Sequence, residues 1–286
     1  MYHDESFGSA FKRGYKAIPV AIRTIITICV VMFFLMILGG QTFASFLVEY
    51  LAFIPDPIIT VMQPWRLVTY MFLHGGFLHI IFNMLWLWWM GRPVEEQLGP
   101  RNFLVLFFGA GIGGALINTA LSGIFGVGPT IGASGAVLGI MVTFAVMFPR
   151  MPIMLIFLPP IEARFIVAGL VLIDLLLIGQ ADNIARVVHL GGALTGYILI
   201  KMYYRGYHYD LWIEQLTRRF SRKAKPKAAP TGGARRKDMH AVSDAEVLNE
   251  QEEGELDRIL DKISKQGYEG LTDREKKILF ELSKRN

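Results

Sequence analysis

Apolar residues in this chain gather into six runs, roughly 20–45, 75–91, 103–122, 132–148, 165–180 and 186–204, separated by short polar or turn-forming stretches. Each run is near the roughly 17–25 residues a helix needs to cross a bilayer, so the pattern predicts six spanning helices. The first run is too long for a cleaved leader and continues as apolar sequence, so it is read as a span. The pattern changes after 204. Residues 205–241 are basic and carry Pro226, Pro230, Gly232 and Gly233, which predicts a flexible linker. Residues 242–286 then hold half of the chain's 24 acidic residues. Leu256, Ile259, Leu260 and Ile263 recur there at helical spacing, Gly267 follows as a stop, and Thr272-Asp273-Arg274-Glu275 forms a capping-box pattern before Ile278, Leu279 and Leu282. The expected architecture is all-α and polytopic. A cytoplasmic segment 1–19 leads into a six-helix membrane domain 20–204, then a basic linker 205–241 and a small cytoplasmic helical hairpin 242–286.

Composition agrees with the runs: 53% of residues are hydrophobic, a level soluble domains rarely reach. The formal net charge of +5 invites a nucleic-acid reading, but the placement of the charges argues for a membrane. Lys12, Arg13, Lys16 and Arg23 stand at the start of the first run. Arg92 and Arg101 lie between the second and third, Arg150 and Arg164 between the fourth and fifth, and nine basic residues fall between 218 and 237. The alternate connections hold only Arg66, none, and Arg186. The positive-inside rule then puts both termini in the cytoplasm, as an even number of spans requires. No aromatic residue interleaves with the basic cluster between 221 and 237, so it reads as a topology anchor attracting anionic lipid rather than as a nucleic-acid site. The single cysteine, Cys29, lies inside the first run and has no intrachain partner for a disulfide.

Three residues of chemical interest share one depth. Counting spans from a cytoplasmic N-terminus, the second, fourth and sixth all start at the outer face. His79 lies a few residues into the second, Ser134 at the start of the fourth and His189 a few residues into the sixth. At about 1.5 Å per residue, all three fall within roughly 10 Å of the outer surface. Serine is a weak nucleophile unless a base takes its proton, and histidine is the usual base near neutral pH. His79 and Asn83 are four apart and share a helix face. Together with the Ser134 N–H, free at a helix N-terminus, they supply donors for an oxyanion. Gly135 with Gly139, and Gly192 with Gly196, are small-xxx-small pairs that let the fourth and sixth spans approach closely. Metal binding by His74, His79 and His189 is the poorer reading. No His-Glu-x-x-His pair is present, and a spacing of five does not chelate on a helix. A transporter or channel would need polar residues along a path at midplane, whereas here they cluster near one face.

With those residues in hand, the chain resembles the rhomboid family of intramembrane serine proteases from about 20 to 204. The resemblance is carried by Trp65-Arg66, by His74 with His79-x-x-x-Asn83, by Gly132-Ala133-Ser134-Gly135 and by His189-x-x-Gly192-x-x-x-Gly196. It implies a six-transmembrane-helix rhomboid-like bundle and a Ser134–His189 dyad. It implies an oxyanion hole from His79, Asn83 and the Ser134 amide, and cleavage of membrane-anchored proteins near the outer face without cofactor or metal. A multi-pass protein of the bacterial plasma membrane is implied as well. The alternative is a proteolytically silent scaffold that binds membrane helices. Silent relatives typically lack the serine or the histidine, and this chain keeps both. The residue four after the nucleophile, often aromatic in the family and stacked on the histidine, is Leu138 here. Asp174 falls within the run 165–180, near mid-membrane and below Ser134, and is read as a structural partner rather than a third catalytic member. Trp86, Trp88 and Trp89 read as an interfacial anchor. His74 is expected to hold the outer loop through hydrogen bonds, and Arg66 to snorkel or to bond carbonyls. The tail shows no catalytic pattern; a cytoplasmic partner, contact with the cytoplasmic loops and a dispensable solvated appendage are the roles open to it.

Overall fold

The computed structural model describes residues 7–154, 159–178, 183–211, 214, 258–259, 262–263 and 270–276. Ten helices and one short hairpin occur among them. They are α1 (Phe7–Lys16), α2 (Val20–Leu38), α3 (Gly40–Leu51), α4 (Pro57–Met62), α5 (Arg66–Thr69) with a 3₁₀ turn after it, α6 (Phe77–Ala120), α7 (Ser122–Phe125), α8 (Ser134–Met147), the strands β1 (Pro152–Ile153) and β2 (Ile161–Glu162), α9 (Ala163–Leu176) and α10 (Asn183–Tyr204). Helices fall on all six apolar runs. Val20–Leu38 and Phe77–Ala120 are long and apolar enough to cross a membrane. The long helix α6 is two segments. Gly99, at φ 78°, takes a conformation that side chains oppose, Pro100 follows it, and the second and third runs meet at that break.

Two boundaries differ from expectation. The first run was expected to continue to about 45, but α2 ends at Leu38. Gly39 and Gly40 interrupt the helix, Gly40 at φ 72°, and α3 then leaves as a separate element. The fifth run was expected to reach 180, but α9 stops at Leu176.

α6, α8 and α10 pack on one another along their lengths, with α2 and α9 against this centre. Phe103, Leu106, Phe107, Ala136, Ile140 and Phe144 are fully buried between them. The outer faces remain apolar: Val31, Phe34, Leu38, Phe82, Phe165 and Leu172 are all exposed. A surface of that kind fits lipid rather than water.

One end of the bundle is tied by polar groups. The Glu95 carboxylate, 3% exposed, accepts from the N–H groups of Ala21 (2.8 Å) and Ile22 (2.9 Å). It thus satisfies orphan donors and meets the positive end of the α2 dipole from another helix. Asn102 accepts from the Asp210 N–H at 3.0 Å, and the Tyr209 hydroxyl donates to the Leu199 carbonyl at 2.9 Å. The start of α2, the Gly99 break and the residues after α10 therefore share one end. Residues 205–211 were expected to begin a flexible linker, but those bonds hold them to the membrane domain. The rest of that linker, apart from Glu214, and the basic cluster 218–237 lie outside the described residues.

Residues Ala224–Asn286 form a second compact unit. In it the Thr272 N–H donates to Glu275 Oε2 at 2.7 Å and the Glu275 N–H to Thr272 Oγ1 at 3.4 Å, the reciprocal bonds of a capping box. Lys262 Nζ adds 2.9 and 3.0 Å contacts to the same carboxylate. The Thr272 amide first, then Lys262, hold the Glu275 carboxyl down at about 2. Ile259 and Leu271 are buried. Of the expected hairpin, Leu256, Leu260, Gly267, Ile278, Leu279 and Leu282 lie outside the described residues.

Candidate active site

The end of the bundle opposite Glu95 is organised by the segment before α6. The last four carbonyls of α3 and its cap have no helical partners, and three side chains from one turn of chain supply them. Arg66 donates to Ala52 O at 2.6 Å and to Glu49 O, Trp65 Nε1 to Tyr50 O at 3.1 Å, and Thr69 Oγ1 to Leu51 O at 2.7 Å. Arg66 also donates to Gln63 Oε1 and is only 6% exposed, so it holds carbonyls rather than snorkelling. An antiparallel bridge ties Phe53 to Thr130 (3.0 and 2.8 Å), and the Gly132 N–H donates to Tyr70 O at 2.9 Å. The loop carrying the serine is thereby fixed to the clipped segment.

Gly132 has φ 126°, a conformation L side chains rarely adopt, which turns the chain into α8. Ala133 caps the helix and Ser134 is its first residue, so the Ser134 N–H has no intrahelical acceptor. A Cβ on Gly132 would stand 2.7 Å from His79 Nε2 and 3.6 Å from Ser134 Oγ, so these two groups flank the glycine. Asn83 is 6% exposed and donates one amide hydrogen to His79 O at 2.8 Å, which leaves its second hydrogen for another acceptor. His74, 1% exposed, meets His79 edge-on with ring centres 5.1 Å apart. Among the described residues neither ring nitrogen of His74 has a hydrogen-bond partner of regular geometry. Its ring packs on His79, and the Phe72 backbone is the polar group beside it.

α10 brings the histidine. His189 Nε2 lies 2.6 Å from Ser134 Oγ, across a separation of 55 residues in sequence. The approach depends on glycine facing glycine. A Cβ on Gly192 would collide with the Gly135 carbonyl, and one on Gly196 would stand 2.7 Å from Gly139 Cα. One on Gly139 would stand 2.8 Å from Gly192 O, and one on Gly135 2.8 Å from Val188 Cγ1. Both pairs expected from the sequence therefore meet.

Two residues stand where the sequence reading did not put them. Asp174 Oδ2 is 3.0 Å from His189 Nδ1, and Asp174 Oδ1 is 3.9 Å from Arg186 Nη1. The mid-membrane placement is corrected because α9 ends at Leu176, which puts Asp174 in its last turn and level with the histidine. Trp86 stacks on Trp89 with ring centres 5.7 Å apart, yet it also lines the cleft at the serine, so it is not simply an anchor. His79, Asn83 and Trp86 at i, i+4 and i+7 carried that signal. The cleft, about 240 Å³, is walled by Phe82, Trp86, Leu138, Met141, Leu170 and Ile173 around Ser134, Asn83, His189 and Asp174.

A family model described as the Rhomboid domain matches residues 61–206. A second, described as a family of unknown function (DUF6576), matches residues 247–285. The chain is similar to the Rhomboid protease GluP of Bacillus subtilis, 33% identical over 180 residues, which cover 63% of this chain and 34% of that protein. It is similar to the Rhomboid protease GlpG of Serratia proteamaculans, 32% identical over 202 residues, covering 69% of this chain and 67% of that protein. A third relative is the mitochondrial Rhomboid protein 1 of Saccharomyces cerevisiae, 34% identical over 131 residues, 44% of this chain and 38% of that protein. The chain spans about a third of the length of the Bacillus protein.

Proposed function

This chain belongs to the rhomboid family of multi-pass membrane proteins, and we propose that it is an intramembrane serine endopeptidase cleaving membrane-anchored proteins near the outer membrane face. The observation that carries the reading is the 2.6 Å contact between Ser134 Oγ and His189 Nε2 at the mouth of an apolar cleft. In the proposed reaction the serine hydroxyl donates to Nε2. As Oγ attacks the carbonyl carbon of the scissile peptide, its proton passes to the imidazole. The carbonyl oxygen becomes an oxyanion, and three donors face it: the Ser134 N–H, the second amide hydrogen of Asn83 and the His79 imidazole. The tetrahedral species collapses, the imidazolium gives its proton to the leaving amine, and an acyl-enzyme remains. Water repeats the sequence with His189 again as base, releasing the acid and restoring the serine.

Membrane placement fits hydrolysis. α8 has 14 residues, about 21 Å of helix against a hydrocarbon layer of roughly 30 Å. It is too short to reach from one surface to the other, which is compatible with a first residue recessed below the outer surface, as this reading requires. Arg92 and Arg101 flank the Glu95 end, and by the positive-inside rule that supports reading this end, and both termini of the membrane domain, as cytoplasmic in a six-span protein. The bacterial relatives support the plasma membrane as its location. The tail contributes nothing to the chemistry in this reading and is left to a cytoplasmic partner.

Cleavage of a transmembrane reporter in liposomes, together with labelling by a fluorophosphonate, tests the proposal. Wild-type protein is expected to cleave and to be labelled, and Ser134→Ala to do neither. A folded wild-type protein that ignores the probe would be a scaffold that binds membrane helices without cutting them.

A further inference from the structure

We infer that Asp174 is a positioning residue for the reaction, fixing the tautomer and orientation of His189 through Nδ1, so that the site works as a Ser134–His189–Asp174 triad. The inference rests on the protease reading above. For His189 to accept the serine proton at Nε2, its own proton must sit on Nδ1. Asp174 Oδ2 lies 3.0 Å from Nδ1, and Ser134 Oγ lies 2.6 Å from Nε2. A carboxylate accepts and does not donate, so it selects the Nδ1–H tautomer and leaves the Nε2 lone pair facing the hydroxyl. Leu138, Met141, Leu170 and Ile173 of the same cleft are apolar and give the ring no directional hold.

The location of Asp174 argues against mere helix design. It stands in the last turn of α9, where the helix dipole is negative and a carboxylate is disfavoured. It also sits in a membrane protein, where an ionisable side chain is costly and commonly functional. Its side chain and that of His189 are mostly buried, 19% and 25% exposed, so water competes weakly for the bond. Among the described residues Arg186 is the other charged group at the carboxylate, 3.9 Å from Oδ1, the oxygen that does not meet the histidine. That arrangement fixes which oxygen meets Nδ1.

The rival role for Asp174 is glue that docks α9 on α10, and a substitution series separates the two. Asp174→Asn keeps the shape and hydrogen-bonding capacity, so glue would survive it better than Asp174→Ala. The triad predicts the reverse order. The amide carbonyl turns to Arg186, the NH₂ turns to Nδ1, and the histidine is driven to the tautomer that has no lone pair for the serine. In a soluble Ser-His-Asp enzyme the corresponding change costs on the order of 10⁴-fold in kcat. Asp174→Ala only frees the ring, so its kcat is expected to stay well above that of Asp174→Asn, with KM near wild type in both. Arg186→Ala placed on Asp174→Asn lets the amide flip and is expected to recover part of the loss. Turnover, fluorophosphonate labelling and thermal unfolding are measured on the full chain in detergent.

Asp174→Asn equal to or better than Asp174→Ala overturns the inference, as does labelling of Asp174→Asn at the wild-type rate. If Asp174→Asn fails to fold, Asp174→Ala decides alone: a lowered kcat at unchanged KM supports the triad, and wild-type kcat overturns it. If the wild-type protein itself neither cleaves nor labels, it is the protease reading that fails, so the two failures are distinct.

Discussion

A single methyl group on Gly192 tests whether glycine contact sets the catalytic distance. A Cβ there would stand 2.8 Å from the Gly135 carbonyl carbon and 3.2 Å from Gly135 Cα, besides striking the Gly135 oxygen. Non-bonded carbons settle at about 3.5–4.0 Å, so α10 must withdraw from α8 by about 1 Å. His189 is one turn earlier on α10 and moves with it. Added to a 2.6 Å contact, that displacement takes Nε2 past the roughly 3.0 Å limit of an O–H···N bond of this kind. A misplacement of about 1 Å costs on the order of 10²-fold in rate. Overpacking should also lower stability by about 1–3 kcal/mol. The expected result for Gly192→Ala is therefore a kcat reduced roughly 100-fold with KM little changed, and a slower fluorophosphonate reaction. Gly169→Ala on α9 is the control, because a Cβ there meets nothing within 4 Å. Near-wild-type kcat in a folded Gly192→Ala protein would mean that α8 and α10 do not owe their spacing to these glycines.

Asn83→Ala removes one oxyanion donor and is expected to lower turnover by about 10²–10³-fold while substrate binding is retained; unchanged turnover and labelling would reduce Asn83 to its bond with His79 O. Glu95→Ala strands the buried N–H groups of Ala21 and Ile22 at the far end of the bundle. At about 1–3 kcal/mol each this should lower the melting point of the detergent-solubilised protein, while kcat of the folded fraction persists; an unshifted melting point would show that those donors find other acceptors. Truncation after residue 210 keeps the Asp210–Asn102 bond and should leave cleavage of a model substrate by the purified protein near normal. A tenfold or greater loss of turnover, with the membrane domain folded, would show that the tail reaches the chemistry.

How much was legible in the sequence depended on whether the signal was local. Apolar runs are local, and helices fall on all of them. The small-xxx-small spacing is local too, and Gly135, Gly139, Gly192 and Gly196 meet as that spacing predicts. Ser134 and His189 were paired by counting depth, a long-range inference, and their side chains meet at 2.6 Å, both standing near helix starts. Asp174 failed the same count. Its depth depended on where the fifth helix ends, and apolar residues continue past Leu176 although the helix does not. Trp86 was hidden by its company, since tryptophans near a span end suggest an interface, while its face is shared with Asn83. Glu95 gave no signal at all, because a cap supplied from another helix has no spacing to read.

The misplaced residues share a physical cause that bears on the function. In a membrane the driving force that buries apolar residues is spent against lipid, so burial does not say which helices meet. Contacts are set by small residues and by a few polar groups, and each polar group must find a partner or stay costly. Glu95 meets two amides, Arg66 meets two carbonyls, Asp174 meets His189, and the hydroxyl of Ser134 meets the same ring. The first two of these pairings, at Glu95 and Arg66, hold helices or loops in register. In the fourth, the partner of the half-buried Ser134 hydroxyl is a histidine, the residue that the proposed protease reaction uses as its base, so in that reading the same contact also makes a nucleophile. It follows that the stabilising and reactive uses of polar groups here are one arrangement. Replacing Asp174 by Asn should therefore damage catalysis more than it damages the fold, while replacing Glu95 by Ala should do the opposite.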